Sequence, residues 1–140
     1  CGGTNRGWPV RGIKPFALER LDWTGRMPFE IERITIMPDG FKVRFTKPAD
    51  PKVGNDPAGY KVTTFTHVYH GGYGGPEVDR AAPKVKSAKL SGDGREAILI
   101  LDKLHPGHVH EFDLAGLRDL GGGELLHRHA YYTVNEVPKP

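Results

Sequence analysis

The chain has 140 residues, 37% of them hydrophobic and 26% charged, with a formal net charge of +3 from 20 basic and 17 acidic side chains. That length accommodates one domain with a real hydrophobic core. The basic residues are scattered and form no run that would track a phosphate backbone, which argues against nucleic acid as a partner. No stretch approaches the ~18 apolar residues of a membrane-spanning helix.

Residues 1–16 read as an irregular arm or linker, and a first strand is expected around Ala17 to Thr24, with Trp23 in the core. A second strand runs through Phe29, Ile31, Ile34 and Ile36. Its alternation slips by one residue, which predicts a bulge near Glu32 and Arg33. Asp39-Gly40 signals a hairpin into a strand with Phe41, Val43 and Phe45 on one face and Lys42 and Arg44 on the other. Tyr60 to Tyr69, rich in Val, Thr and aromatics, reads as a long strand. A long loop is expected between His70 and Pro83. Val85 to Leu90 follows as a strand, turned by Asp93-Gly94 into Glu96 to Leu101. That strand is apolar on both faces and so is placed centrally. Phe45 and Leu99 are expected at the core, in opposite sheets. His108 to Leu114 and His129 to Val134 complete the set, with a frayed tail over 136–140.

Seven or eight short strands separated by Pro, Gly and Asp, with no helical period, predict an all-β, immunoglobulin-like or fibronectin III-like antiparallel sandwich over residues 17–135. The single cysteine excludes an internal disulfide, a cysteine-cluster metal site and a c-type haem. Cys1-Gly2-Gly3 would also suit a lipid-anchored mature terminus, or an artificial start inside a longer protein.

Several motifs are familiar. FTKPADP at Phe45 to Pro51, the Asp93-Gly94 hairpin, and Gly116-Leu117-Arg118-Asp119-Leu120-Gly121-Gly122 resemble bacterial immunoglobulin-like domains of surface-layer proteins. A second resemblance rests on GGTNRGW at Gly2 to Trp8, LDWTGRMPFEI at Leu21 to Ile31, YGGPEVD at Tyr73 to Asp79, GHVHEF at Gly107 to Phe112 and AYYTVN at Ala130 to Asn135. These are similar to the C-terminal portion of large secreted bacterial glucose/sorbosone dehydrogenase-like proteins, which carry a quinoprotein β-propeller and often haem segments. That resemblance implies an extracytoplasmic, periplasmic or secreted, multidomain parent. It implies that this domain is a non-catalytic accessory module packed on the propeller or another domain of the same chain.

The chain itself supplies no catalytic residues and no cofactor site by this reading. Seven histidines nevertheless raise the question of a metal. His108 and His110 share a strand face, as do His127 and His129, and four imidazoles could converge if their strands were neighbours. The favoured expectation is no metal, with His110 in the core and His127 and His129 facing out. The expected contact surface is the glycine-rich loop with its aromatic and acidic neighbours: Tyr69, Gly72, Tyr73, Gly74, Glu77 and Asp79, with Trp8 in the arm as a further docking residue. Two alternatives remain. One is a carbohydrate-binding module that stacks sugars on Trp8, Tyr69 and Tyr73. In the other, the domain completes the active site of a parent oxidoreductase, lending His or acidic residues from the Gly71 to Asp79 loop.

Overall fold

A computed structural model of the chain describes residues 2–4, 16–18 and 20–139. Two short strands, β1 (Gly2–Thr4) and β2 (Phe16–Leu18), pair antiparallel with each other outside the main body. The arm therefore carries a strand, and the first strand expected over Ala17 to Thr24 does not form beyond Leu18. Eight strands follow: β3 (Ile31–Met37), β4 (Gly40–Phe45), β5 (Lys61–His67), β6 (Glu77–Ala81), β7 (Val85–Leu90), β8 (Glu96–Leu101), β9 (His108–Asp113) and β10 (His129–Val134). They make two four-stranded antiparallel sheets, ordered β3-β4-β8-β7 and β10-β9-β5-β6. Successive pairs alternate between the sheets, the immunoglobulin-like arrangement expected from the sequence.

The sandwich has two ends. At the first, β4 passes into β5 through a helical turn α1 (Pro51–Gly54) and a 3-10 turn (Pro57–Gly59), and the β7–β8 and β9–β10 connections lie beside it. Backbone bonds tie this end together: Thr46 N–H to Glu30 C=O at 3.0 Å, Ala49 N–H to Gly94 C=O at 2.9 Å and Asp50 N–H to Arg118 C=O at 2.8 Å. Asp50 and Asp56 cap the two turns, each accepting a backbone N–H as N-cap residues do. The second end holds the β3–β4 turn and the β5–β6 and β8–β9 connections.

Alternation places Phe41, Val43 and Phe45 of β4 and Ala97, Leu99 and Leu101 of β8 inward, all buried. Val62 of β5, Phe112 of β9 and Val134 of β10 meet them from the other sheet. Phe45 and Leu99 are thus core residues as expected, but they belong to one sheet: β4 and β8 are hydrogen-bonded neighbours, with Phe41 opposite Leu99. Phe41 bridges the layers. Its ring lies 5.0 Å from Phe112, 5.3 Å from His110 and 5.6 Å from Tyr132, within the range of favourable edge contacts. The bulge in β3 falls where the broken alternation placed it, between Ile31 and Arg33.

Three further expectations need correction. Trp23 is 69% exposed, because residues 20–28 join no strand. The loop expected from His70 to Pro83 contains β6, a polar edge strand in which only Val78 and Ala81 are partly buried. Its composition conceals it. The terminal tail is not wholly frayed either, since Val137 packs against the core.

Gly40 serves a different purpose from the one its Asp-Gly context suggests. Its φ is not left-handed; instead, a Cβ there would overlap the backbone carbonyl of Leu99. Gly92, by contrast, has open space around it. Gly40→Ala should therefore destabilise the fold by about 2 kcal/mol or more through overpacking. Gly92→Ala should change stability by less than about 0.5 kcal/mol. Urea unfolding of the two variants reads the difference, and equal effects would show that β4 and β8 do not approach so closely.

Candidate interaction surface

The second end of the sandwich gathers the residues of greatest chemical interest. β5 delivers His67 to the edge, and residues 68–76 then turn back into β6. Glycines at 71, 72, 74 and 75 let this loop fold around the ring of His70. Gly72 N–H donates to His70 Nδ1 at 3.0 Å, and added Cβ atoms at Gly72 or Gly75 would crowd the His70 ring. His67 Nδ1 lies 3.2 Å from the Gly75 carbonyl oxygen, closing the loop at its base. Gly74 adopts φ +74°, a conformation that glycine takes without a Cβ penalty. The loop and its flanks enclose an open hollow of about 440 Å³ lined by His67, Val68, Tyr69, His70, Gly72, Gly74 and Gly75. Tyr69 and Tyr73 project from it fully exposed.

The expected surface residues separate into two groups. Tyr69, Gly72, Tyr73 and Gly74 lie together in this loop. Glu77 and Asp79 belong to β6 and are already engaged, Glu77 with Arg80 and Asp79 with His108, whose Nε2 is 3.0 Å from Asp79 Oδ2. Trp8 and Cys1 lie outside the described residues.

Asp79 carries φ +54°, the one non-glycine left-handed residue described. The β5–β6 register shifts at this point, with Thr64 opposite Ala81 but Thr66 opposite Val78. The extra residue on β6 makes a bulge, and bulges re-aim side chains. Here the bulge turns the Asp79 carboxylate toward His108, while Arg80 stands over the Phe65 ring at 5.3 Å, a cation–π distance. Phe65 is thereby buried on the outer face of its sheet.

Five of the seven histidines sit near this end: His67, His70, His105, His108 and His110. His105 packs edge-on to His108 at 5.4 Å and lies 6.4 Å from His110. His108 Nδ1 is 3.2 Å from the Pro106 carbonyl oxygen. His110 is fully buried opposite Thr64. Its Nε2 accepts a long bond from His105 N–H at 3.4 Å. Its Nδ1 and the Thr64 Oγ1 have no partner among the described residues. Burial pushes His110 down to about 4, and burial together with nearby Lys103 and His108 lowers His105.

His127 and His129 stand at the opposite end. β10 does neighbour β9, but it pairs His129 with Asp113 and Tyr132 with His110, so the two histidine pairs do not converge. His127 Nδ1 meets Glu30 Oε2 at 2.7 Å, and His129 accepts from Arg128 Nε at 3.1 Å. Among the described residues, no group of three or more His, Cys, Asp or Glu is arranged to hold a metal ion. No described helix is long and apolar enough to cross a membrane.

The outer sheet faces carry paired polar groups that sequence reading left undistinguished. On β9, Glu111 accepts from Thr63 Oγ1 at 3.2 Å and from the Tyr131 hydroxyl at 3.1 Å, and that bond to Glu111 raises the Tyr131 phenol. On the other sheet, Arg44 bridges Glu32 and Glu96, each at 3.2 Å.

No protein-family model matches the chain, and no curated protein matches it. Solved structures do. The crystal structure of the S-layer protein rSbsC superposes on 78% of the chain with TM-score 0.58 and 23% identity. Domains 1–6 of the surface layer protein SbsC match with TM-score 0.58 and 25% identity, and the N-terminal part of the bacterial S-layer protein SbsC with 0.59 and 24%. The fold is shared with S-layer domains. The chain spans 14% of the first two structures and 24% of the third.

This overturns the resemblance to glucose/sorbosone dehydrogenase-like proteins, since the structural neighbours are S-layer domains. The segments YGGPEVD, GHVHEF and AYYTVN, which suggested that parent, are loop-and-strand pieces of the sandwich itself. Their glycines and alternating aromatics answer to β-turn and pleat geometry. Glu77 and Asp79, considered as loans to an oxidoreductase site, are held by Arg80 and His108 within the domain.

Two measurements probe this end. His110 has a folded pKa below its unfolded value near 6.5. Its unprotonated form is therefore favoured by folding, and the associated stability is present above pH 6.5 and lost as pH falls toward 4. The expected loss is about 3 kcal/mol by pH 4, read by denaturant unfolding at each pH. His110→Phe should flatten that part of the profile; an unchanged slope would show that other groups cause it. Separately, Asp79→Gly and Asp79→Ala both delete the carboxylate, but only glycine relieves the left-handed backbone. The glycine variant should be more stable by about 1 kcal/mol. Equal stabilities would mean that the bulge relaxes.

Proposed function

We propose that the chain is a non-catalytic structural module of an extracytoplasmic protein at the bacterial cell surface, and that it contacts a neighbouring domain through the β5–β6 loop. The observation that carries this reading is the likeness of the whole sandwich to S-layer domains. The chain occupies a small share of those proteins, as one module of a longer polypeptide would. The arrangement of polar groups agrees with it. Carboxylates on the sheet faces are matched to arginine, histidine or hydroxyl partners, while the tyrosines of the β5–β6 loop project unengaged. Exposed tyrosines on a glycine-rich loop suit contact, because they offer large amphipathic area at small entropic cost.

A second reading, carbohydrate binding, draws on the full exposure of Tyr69 and Tyr73, since exposed aromatic rings can stack on sugars. The module reading predicts that antibodies against the domain label intact cells producing the parent protein. It also predicts that NMR titration of the purified domain with soluble cell-wall oligosaccharides leaves the Tyr69 and Tyr73 resonances in place. Labelling only after permeabilisation would refute the surface assignment. Saturable shifts at both tyrosines, lost in Tyr73→Ser, would favour the carbohydrate reading.

A further inference from the structure

The connection between β8 and β9 is tied to the sandwich at both ends and in the middle. At its start Asp102 N–H donates to the Lys84 carbonyl at 3.0 Å, and at its close Gly107 N–H donates to the Val134 carbonyl at 2.7 Å. Between them Leu104 packs against the core, and His105 N–H donates to Nε2 of His110 at 3.4 Å. The outer acceptors are carbonyl oxygens, which keep their lone pairs across the ordinary range of pH. The middle acceptor is an imidazole nitrogen, which accepts only while it is bare.

That bond fixes the state of the ring. A backbone amide can only donate, so Nε2 of His110 is unprotonated and the neutral ring carries its proton on Nδ1. Nδ1 has no hydrogen-bond partner among the described residues, and neither has the Thr64 hydroxyl on the adjoining strand. A second proton has only Nε2 to go to. It would turn the acceptor into a donor aimed at another donor, and the bond to His105 would be lost.

The surroundings are poorly suited to the cation. Phe41 of β4 presents its ring at 5.3 Å, β5 sets Thr64 opposite and β10 sets Tyr132 opposite. From the connection itself His105 stands 6.4 Å away. His105 and His108 both oppose a charge on His110, and the His108 backbone, which favours one, is outweighed by burial. Among the described residues no carboxylate offsets this: Asp79 of β6 is engaged by His108, and Asp102 and Lys103 act on His105.

We propose that His110 is an acid-sensitive catch. Neutral, it holds the middle of the β8–β9 connection through the His105 amide; protonated from solvent, it lets the segment around His105 swing out while both ends stay anchored and the sheets stay paired. The released ring is the one that packs edge-on to His108 at 5.4 Å, and His108 in turn meets Asp79. The change thus reaches β6, the strand that follows the Tyr69–Tyr73 loop, and acid alters the shape of the second end. It does so whatever partner that end meets.

Amide hydrogen exchange of the whole chain, followed by NMR between about pH 7 and pH 5 and referred to intrinsic rates, provides the test. Folding lowers His110 from its ordinary 6.5 to about 4. The catch is therefore closed above pH 6.5, and each unit below should raise the released fraction close to tenfold. Protection of the His105 amide should fall at least tenfold by about pH 5, while protection of Asp102 and Gly107 holds. Nitrogen-15 spectra of the imidazoles at pH 7 should show the bare nitrogen of His110 to be Nε2. In His110→Gln, whose side-chain carbonyl still accepts from His105, the fall should vanish. In His110→Phe, which offers no acceptor, the His105 amide should exchange fast at every pH. A bare Nδ1, equal losses at Asp102, His105 and Gly107, or no loss at His105 would each overturn the proposal. The unsubstituted chain decides these outcomes even where a variant fails to fold.

Discussion

The two sheets are held in register chiefly by Phe41. Its ring reaches from β4 across the interior to His110, Phe112 and Tyr132 on two adjacent strands of the facing sheet. One residue before it, Gly40 lets β4 approach the backbone of β8 with no side chain between them. Close backbone approach within one sheet and a wedge into the other are therefore neighbours in sequence. Val43, Phe45, Leu99 and Phe112 fill the space on either side, and every strand of the two four-stranded sheets is fixed directly or through one neighbour to this centre.

Most of this architecture was legible in the sequence because alternation on inner strands is strong. Phe41, Val43 and Phe45 declare their face without ambiguity, and the slipped spacing of Ile31 and Ile34 located a bulge. Legibility failed where burial does not drive the pattern. β6 is an edge strand of mostly polar residues, so neither alternation nor hydrophobicity reveals it. Pairing partners were also hidden, which is why Phe45 and Leu99 were separated into different sheets. Two inward-facing strands look alike in sequence whether they lie side by side or face to face. Trp23 misled for a related reason: an indole usually signals a core, but here it lies on a segment outside both sheets.

The candidate surface was half visible. Tyr69 and Tyr73 announced themselves through their glycine-rich context, whereas the place of Asp79 depends on a bulge register that only three-dimensional pairing exposes. His105 gave no sign beyond a Pro-Gly turn, although its ring packs edge-on to His108 and lies tilted to His110. Buried His110 shows the cost of a polar ring in such a core. Across from it the Thr64 hydroxyl also lacks a partner among the described residues, and the burial that lowers the His110 pKa makes this corner of the interior sensitive to acid.

The strand order has a mechanical side. β3 starts at the first end of the sandwich and β10 finishes at the second, in different sheets. Tension applied between Ile31 and Val134 therefore acts along these strands and across ladder bonds that lie perpendicular to them. Rupture would require several of those bonds, and the sheet-to-sheet grip of Phe41, to give way together instead of unzipping one at a time. A domain so connected is suited to bear load along its length, and the same bonds would yield far more readily to a pull that peels β10 sideways from its edge.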